Sequence, residues 1–320
     1  MTSAPSSPRS FAGYFRAIVD NVGQVLKGKD SAIELALVCL LSDGHLLIED
    51  VPGVGKTSLA KAFSRSIEAT WRRVQFTPDL LPSDLVGVSV WSKNTETFDF
   101  QPGPLFANIV LADEINRASP KTQSALLEAM EEHQVTVDGV SRALPRPFLV
   151  IATQNPVEQE GTYRLPESQL DRFLIRMSVG YPDRASETAI LDSTTSNDAV
   201  QNLGPVIGVA EVSAMIEATR SVRMVDVLKD YVVGISHASR RHPAVALGFS
   251  PRATQQLARA SRTLAASRGR DYVIPDDVKE LSEAVLSHRL LLRHDSGGRS
   301  LSTTEVVREI VASVPVPSGR

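Results

Sequence analysis

The sequence predicts an α/β domain built on a parallel sheet, followed by a smaller all-helical domain. Short apolar runs that suit buried parallel strands recur at residues 45–48, 109–112 and 148–153, and residues 72–77 read as a further strand. Helical patterns lie between these segments. After Tyr181-Pro182 only helical patterns follow, at about 184–196, 209–219, 224–240, 251–268 and 276–293. A chain of 320 residues with 42% apolar content is long enough for about two ordinary buried cores.

Composition and charge exclude several classes of protein. The 34 basic and 37 acidic residues nearly cancel, so the net charge of −3 gives no reason to expect nucleic acid or an anionic membrane as partner. Cys39 is the single cysteine, which excludes an internal disulfide framework, and its apolar surroundings predict a core helix. No run approaches 18 uncharged apolar residues, so we expect a cytoplasmic protein without membrane insertion.

The amino-terminal part reads as a disordered segment and two helices. Residues 1–10 are rich in Ser and Pro and carry almost no apolar surface, which predicts disorder. Helical patterns then fill residues 11–41, with a break at Lys27-Gly28-Lys29 and an end at Ser42-Asp43-Gly44.

A phosphate-binding loop is indicated by Val-Pro-Gly-Val-Gly-Lys-Thr at residues 51–57, which lies between an apolar strand and a helical pattern at 58–66. Gly53 and Gly55 allow backbone N–H groups to turn toward an anion, and Lys56 adds a mobile charge for the terminal phosphates. The helix that follows directs its positive dipole end the same way. We expect Thr57 to ligate magnesium, and the residues that bind ATP to be Pro52, Gly53, Val54, Gly55, Lys56, Thr57 and Ser58.

Asp50 departs from the strict pattern G-x-x-x-x-G-K-S/T, which has glycine at this position. The shorter pattern G-x-G-K-T arises by chance in about one chain in a hundred of this length, and its place between a strand and a helix lowers those odds further. Asp50 leaves the geometry at the start of the loop open. It also motivates one alternative, an ATP-gated scaffold that does not hydrolyse its nucleotide.

Two carboxylates, Asp113 and Glu114, follow directly after the apolar run at 109–112. A buried parallel strand delivers such acids to its carboxyl end, the edge of the sheet where the phosphate loop also lies. We assign Asp113 to the metal and Glu114 to the base that activates water. Asn155 follows the strand at 148–153 and can hydrogen-bond both the attacking water and the γ-phosphate, although such a residue is more often part of a turn.

Two hairpins are predicted within the α/β domain. Residues 88–91 and 97–100 alternate with period two around Asn94-Thr95, and residues 135–142 do so around Asp138-Gly139. The aromatic residues of the first hairpin, Trp91, Phe98 and Phe100, either touch a substrate or partner or pack on their own domain.

Four motifs resemble the MoxR family of AAA+ ATPases: the loop at 51–57, Ala-Asp-Glu-Ile-Asn-Arg-Ala at 112–118, Lys-Thr-Gln-Ser-Ala-Leu-Leu-Glu-Ala-Met at 121–130, and Ala-Thr-Gln-Asn-Pro at 152–156. The resemblance extends from about Asn21 to Arg293. It implies an AAA+ P-loop NTPase domain with a C-terminal all-α lid, in which Lys56 and Thr57 form the Walker A pair, Asp113 and Glu114 the Walker B pair, and Asn155 sensor 1. Residues 88–100 resemble the helix-2 insert and 134–145 the pre-sensor-1 hairpin, both facing a central pore.

The resemblance also assigns two arginines. Leu-Asp-Arg-Phe at 170–173 resembles the segment that carries the arginine finger, which reaches the nucleotide of a neighbouring subunit; Arg172 is our choice, and Arg164 and Arg176 remain alternatives. Gly-Phe-Ser-Pro-Arg at 248–252 resembles the start of the sensor 2 helix, with Arg252 directed at the γ-phosphate. The implied domains are a disordered segment 1–10, the α/β domain 11–182, the lid 183–293 and a C-terminal tail 294–320 with a short helix from Thr303 to Ala312.

The resemblance implies a Mg²⁺-dependent ATPase that forms a ring, expected to be a hexamer. Its work is remodelling or maturation of a client protein, including metalloenzymes, with a von Willebrand A domain protein as partner. A chelatase motor subunit that inserts magnesium or cobalt into a tetrapyrrole is a nearby alternative. A DNA-acting ring motor is a further alternative, supported only by ten Lys or Arg residues between Arg220 and Arg270; solvated helix faces or an acidic neighbouring subunit explain these charges without nucleic acid.

Overall fold

A five-stranded parallel sheet forms the centre of the α/β domain. The computed structural model describes residues 8–156, 162–182, 184–191, 200–293 and 301–317. The strands lie in the order β2-β5-β8-β1-β9, and each neighbouring pair is parallel. Their bounds are β1 Leu46–Glu49, β2 Trp71–Gln75, β5 Ile109–Asp113, β8 Leu149–Gln154 and β9 Ile175–Met177. The strand that carries the predicted acids is thus separated from the strand before the phosphate loop by β8 alone.

Both faces of this sheet are covered, which explains the continuous apolar runs in the sequence. Alternate strand residues enter two different cores: Leu46, Ile109 and Ile151 pack in one, and Leu47, Val110 and Val150 pack in the other. The first core receives helices α1 Pro8–Gly23, α2 Asp30–Leu41 and α3 Lys56–Ser66, and it continues without a break into the helical domain. The second core receives α5 Pro120–Glu132. Ser119 caps α5 by accepting a hydrogen bond from the Thr122 N–H, as its sequence predicts.

Both predicted hairpins are present. Gly87–Ser92 (β3) pairs with Thr97–Pro102 (β4), and Gln134–Val137 (β6) pairs with Val140–Ala143 (β7). Trp91 lies opposite Phe98 with ring centroids 5.1 Å apart, and both side chains are at least half exposed. Phe100 instead packs against Phe106 and under the Arg142 guanidinium, so this hairpin both packs on its own domain and leaves two aromatic rings at the surface.

Three short elements, α4 Pro82–Val86, α6 Glu167–Leu170 and β9, were not predicted, because three to five residues carry too little periodicity.

The helical domain contains α7 Arg184–Leu191, α8 Val209–Arg220, α9 Asp226–Arg241, α10 Pro251–Ser267, α11 Pro275–Leu286 and α12 Thr303–Ser313. The prediction of one helix over 276–293 is wrong, since α11 ends at Leu286 and a 3-10 turn follows at Ser287–Arg289. Leu291–Leu292 (β11) then pairs with Val245–Leu247 (β10). Helix α12 lies within one residue of its predicted bounds, but its buried side chains join the core beside α9 and α11, so it is part of the helical domain rather than of a tail.

Some predictions fall partly or wholly outside the described residues. The predicted disordered segment 1–10 is contradicted at residues 8–10, which begin α1, while residues 1–7 lie outside the described part. The predicted boundary residue 183, residues 192–196 of the first lid helix, and residues 294–300 of the predicted tail also lie outside it. Among the described helices, none combines the length and the hydropathy needed to cross a membrane.

Candidate functional site

The phosphate loop has the backbone shape that its glycines predict. Gly53 and Gly55 have φ angles of +89° and +99°, a region that L-residues with a Cβ rarely adopt. Helix α3 begins at Lys56, immediately after the loop, and no side chain caps its first turn. The first N–H groups of the helix and its positive dipole end are therefore available to an anion at this position.

Lys56 is held at the start of the loop. Its ammonium group donates to the backbone carbonyl of Asp50 at 2.8 Å. Partial burial lowers the pKa of Lys56, while the nearby carboxylates of Asp50, Asp113 and Glu114 act in the opposite direction. The lysine therefore lies among three acids, with its charge directed into the loop.

The Asp50 side chain points away from the loop and binds the segment that leads into the helical domain. Its buried carboxylate accepts hydrogen bonds from the Ser178 hydroxyl at 2.8 Å, from the Val179 N–H and from the Gly180 N–H at 3.3 Å. The Asp50 N–H also donates to the Gln154 carbonyl at 3.2 Å. The departure from the strict loop pattern thus adds a structural contact, and Asp50 does not line the cavity at the loop.

The two acids are fixed by different partners. Asp113 accepts the Thr153 hydroxyl at 2.6 Å on one oxygen and the Arg73 guanidinium at 2.6 Å on the other. Glu114 accepts from Gln75 at 2.8 Å and from Arg117 at 2.9 Å. The Glu114 backbone lies in the left-handed region with φ of 57°, and its N–H donates to the Thr153 hydroxyl at 2.9 Å. Such strain costs about 1–3 kcal/mol and occurs preferentially at functional sites.

The phosphate loop and the two acids line one cavity of about 320 Å³, which we call the phosphate cavity. The cavity brings together residues from the ends of β1, β2, β5 and β8 and from the start of α3. Its lining residues are Pro52, Gly53, Gly55, Lys56, Thr57, Ser58, Arg73, Gln75, Asp113, Glu114 and Asn155. Val54 is the one predicted loop residue outside this lining, because its side chain packs against the hydrophobic core.

Arg172 and Arg252 meet at another place. Arg172 forms an ion pair with Glu131 at 3.1 Å and donates to the Leu127 carbonyl at 2.7 Å, and Arg252 pairs with the other oxygen of Glu131. Glu131 lies in the last turn of α5, a helix about 20 Å long whose first turn follows the Walker B acids. Arg252 does not line the phosphate cavity of its own chain, and its contact with the γ-phosphate stays a prediction. The lid helix α10 packs against α1 and α2 and carries Arg252 to Glu131 instead.

The segment around Arg172 is anchored from the helical domain. The Arg289 guanidinium is buried and forms an ion pair with Asp171 at 2.8 Å, and Ser250 also donates to this carboxylate. Burial lowers the pKa of Arg289 to about 10, and Asp171 opposes that shift. Of the alternative finger residues, Arg176 is paired with Glu49 at 3.3 Å, whereas the Arg164 side chain is exposed.

Comparison with known proteins identifies the family. Residues 45–175 match the ATPase family associated with various cellular activities (AAA), and residues 237–310 match the AAA lid domain. Chaperone MoxR1 of Mycobacterium tuberculosis is 42% identical over 94% of this chain and 82% of that protein. The chain belongs to the MoxR family of AAA+ ATPases. Protein YeaC of Bacillus subtilis is 48% identical over 94% of both chains.

The fold agrees with that of a solved relative. The crystal structure of a candidate ATPase from Cytophaga hutchinsonii superposes with a TM-score of 0.89 at 34% identity, over 97% of both chains. The fold predicted from sequence, an AAA+ domain with a parallel sheet and a C-terminal helical lid, is thereby confirmed.

Three polar residues of this MoxR-family site were missed by sequence reasoning. Arg73 and Gln75 lie on β2, in register with β5 so that Gln75 faces Asp113 across the pair. Thr153 ends the buried run of β8 and bonds to both acids. Their shared signal is a polar side chain near the carboxyl end of a strand, but the order of strands is needed to know which acid each one meets.

Proposed function

We propose that this MoxR-family protein binds ATP with Mg²⁺ and hydrolyses it in the phosphate cavity. The observation that carries the proposal is the convergence of the loop, the acid pair and Asn155 on one cavity. Lys56 and the N–H groups of the loop bind the β- and γ-phosphates, because the lysine charge and the start of α3 both face this position.

The donor set of the cavity fits magnesium. Thr57 and Asp113 present a hydroxyl and a carboxylate, the hard oxygen ligands that Mg²⁺ prefers. These two residues would hold the metal, Asp113 through the water shell. When bound, the metal neutralises negative charge on the phosphates.

Glu114 acts as the general base that takes a proton from the attacking water. Gln75 and Arg117 fix its carboxylate through hydrogen bonds to one oxygen, and Glu114 lines the cavity. Asn155 is buried at the end of β8 and lines the same cavity, where its amide orients the water. A correctly placed base contributes about 10²–10⁴ in rate.

Substitution of Glu114 tests this assignment. Glu114→Gln keeps the shape of the side chain and removes the base, so ATP should still bind while turnover falls by about 10² or more. Glu128→Gln, an exposed acid on α5, is the matched control and should keep the wild-type rate. A Glu114→Gln protein that hydrolyses ATP as fast as wild type would remove Glu114 from this role.

The arginines at Glu131 act on the nucleotide of a neighbouring copy in a ring, which we expect to be a hexamer. Arg172 and Arg252 each pair with Glu131 at the far end of α5. Neither lines the phosphate cavity of its own chain. A guanidinium supplied from a neighbour stabilises charge on the transferred phosphoryl group and contributes about 10³–10⁵ in rate.

Mixing two inactive variants tests the contribution from a neighbour. Arg172→Ala subunits keep Glu114, and Glu114→Gln subunits keep Arg172, so mixed interfaces should regain hydrolysis. The same mixture with Arg164→Ala tests the exposed alternative. If mixed rings form and stay inactive, the finger does not act between subunits.

The output of the cycle is chaperone-like remodelling or maturation of a client protein, including metalloenzymes, in the cytoplasm. One relative is named as a chaperone, which supports this output. The exposed pair Trp91 and Phe98 gives the helix-2 insert an apolar contact for a client. A von Willebrand A domain protein is the proposed partner. Pull-down of a purified von Willebrand A domain protein in the presence of ATP tests this partner. Equal recovery by wild type and by a Trp91→Ser/Phe98→Ser variant would show that the partner binds elsewhere and leaves the aromatic pair to the client.

A further inference from the structure

The basic residues between Arg220 and Arg270 do not share one surface. Several are neutralised locally: Arg223 pairs with Asp271, and Arg268 and Arg270 pair with the buried Asp277. Four more line one groove together with Thr219, Gln255 and Gln256: Arg220, Arg252, Arg259 and Arg262. We call this the lid groove. Of these four arginines, Arg220 pairs with Glu217 and Arg252 pairs with Glu131.

The lid groove is a concave site of about 460 Å³ between the end of α8 and one face of α10. Arg252, Gln255, Gln256, Arg259 and Arg262 follow each other at helical spacing, so one face of α10 presents three guanidinium groups and two amides. None of its lining residues is a carboxylate. The groove therefore concentrates positive charge with planar donors suited to oxyanions.

Arg259 forms the floor of the groove and is incompletely satisfied. One of its terminal nitrogens donates to the Asp43 carbonyl at 2.8 Å, whereas its buried Nε has no hydrogen-bond partner. Burial lowers the pKa of Arg259, Arg220 acts in the same direction, and Asp43 opposes them. Within the described residues, neither Arg259 nor Arg262 pairs with a carboxylate within 4.0 Å. Placing these two arginines side by side without a carboxylate partner is unfavourable.

We propose that the lid groove binds a phosphate-type oxyanion with at least two negative charges. Four guanidinium groups line the groove and two carboxylates pair with them, which leaves an excess of two positive charges, and the guanidinium forks match phosphate oxygens. A surface that binds nucleic acid would need exposed aromatic side chains for base stacking. The groove lining contains none, and the aromatic residues between Arg220 and Arg270, Tyr231 and Phe249, are buried. Its phosphate comes either from a free polyphosphate or from the nucleotide of a neighbouring copy. The second source rests on the proposed function and is suggested by Arg252, which also lines the cavity that contains Arg172.

Titration of tripolyphosphate by calorimetry tests the first source. The Lys56→Ala substitution disables the phosphate loop, so the tripolyphosphate binding that remains is assigned to the lid groove. Arg220→Gln/Arg262→Gln in this background should weaken that binding at least tenfold. Arg16→Gln/Arg241→Gln removes two charges that do not line the groove and should leave it unchanged. Arg259→Gln is the second test variant, and thermal unfolding checks that each variant is folded.

ATP hydrolysis by assembled Arg220→Gln/Arg262→Gln protein tests the second source. A loss of at least fivefold in rate, with ATP binding retained, assigns the groove to the nucleotide of a neighbour even if tripolyphosphate does not bind. The proposal is overturned if the Arg220→Gln/Arg262→Gln protein hydrolyses ATP at the wild-type rate and tripolyphosphate either does not bind or binds equally well with and without these substitutions. The proposal is also overturned if the Arg220→Gln/Arg262→Gln protein loses affinity for duplex DNA while its tripolyphosphate binding and its ATP hydrolysis stay unchanged. Failure of hydrolysis in the wild-type protein affects the proposed ATPase and leaves the calorimetric test intact.

Discussion

The carboxylate of Asp50 accepts a hydrogen bond from the backbone N–H of Val179, across 129 residues of sequence. Through its own carbonyl the same residue holds Lys56, and through its N–H it pairs with Gln154, the residue before Asn155. Asp50 thus connects the phosphate loop, the end of β8 and the segment that runs into the helical domain. A change in the position of that segment would be transmitted directly to the base of the phosphate loop.

Replacement of Asp50 should destabilise the protein. Asp50→Ala removes the acceptor of Ser178, Val179 and Gly180. The Val179 N–H is buried, and a buried unsatisfied donor costs about 1–3 kcal/mol. We expect a lower urea midpoint with an unchanged slope. Asp50→Asn keeps one acceptor oxygen and should lose less. Asp50→Gly restores the strict loop pattern and should nevertheless be destabilised. A wild-type midpoint for Asp50→Ala would contradict the structural role.

Arg73 should compete with magnesium for Asp113. The Arg73 guanidinium contacts Asp113 Oδ2 through two nitrogens, at 2.6 and 3.1 Å. Its side chain is 49% exposed, and an exposed pair of this kind contributes ~0.5–1 kcal/mol. Arg73→Gln should therefore lower the Mg²⁺ concentration for half-maximal ATP hydrolysis by about two- to fivefold. The neighbouring exposed Arg72→Gln is the control. A higher Mg²⁺ requirement, or loss of ATP affinity, would show that Arg73 binds the nucleotide instead.

Stability should fall in acid because His45 is buried and neutral. The Val150 N–H donates to Nδ1 at 3.1 Å and Nε2 lies 3.0 Å from the Met130 carbonyl, so the proton resides on Nε2. Burial lowers the pKa of His45 from 6.5 to about 4. The unfolded chain then takes up the proton first, so this stability is present above pH 6.5 and is lost as the pH falls toward 4. The loss amounts to about 3 kcal/mol over this range.

Urea unfolding at several pH values measures the effect of His45. His45→Gln should be less stable than wild type at pH 7.5, with a flatter dependence between pH 6.5 and 4. The exposed His237→Gln is the control and should keep the wild-type profile. Parallel pH profiles for wild type and His45→Gln would exclude His45 as the cause.

The phosphate cavity could be predicted from sequence because its parts follow local rules. Glycines before a helix and acids after an apolar run define positions at the carboxyl ends of strands, and a parallel sheet brings those ends together. The destination of Arg252 could not be predicted in the same way. Ser250 and Pro251 correctly predicted the start of its helix. Its contact with Glu131 depends on how α10 packs against α1 and α2, which no local pattern records.

The role of Asp50 was equally inaccessible. Its partners at residues 178–180 lie beyond two hairpins and four strands of the sheet, and two of them are backbone N–H groups that any sequence supplies. The lid groove shows the same limit. The sequence contains ten basic residues between Arg220 and Arg270, but it does not indicate which four line the groove, because that depends on how α8 and α10 pack.

The rate of ATP hydrolysis per subunit, measured with Mg²⁺ as protein concentration rises through the range where oligomers form, tests the central claim most directly. If Arg172 completes the site of a neighbouring copy, the rate per subunit should climb with assembly, and Arg172→Ala should stay inactive at every concentration although it assembles and binds ATP. A rate that is independent of assembly would contradict the claim, because each subunit would then hold a complete site.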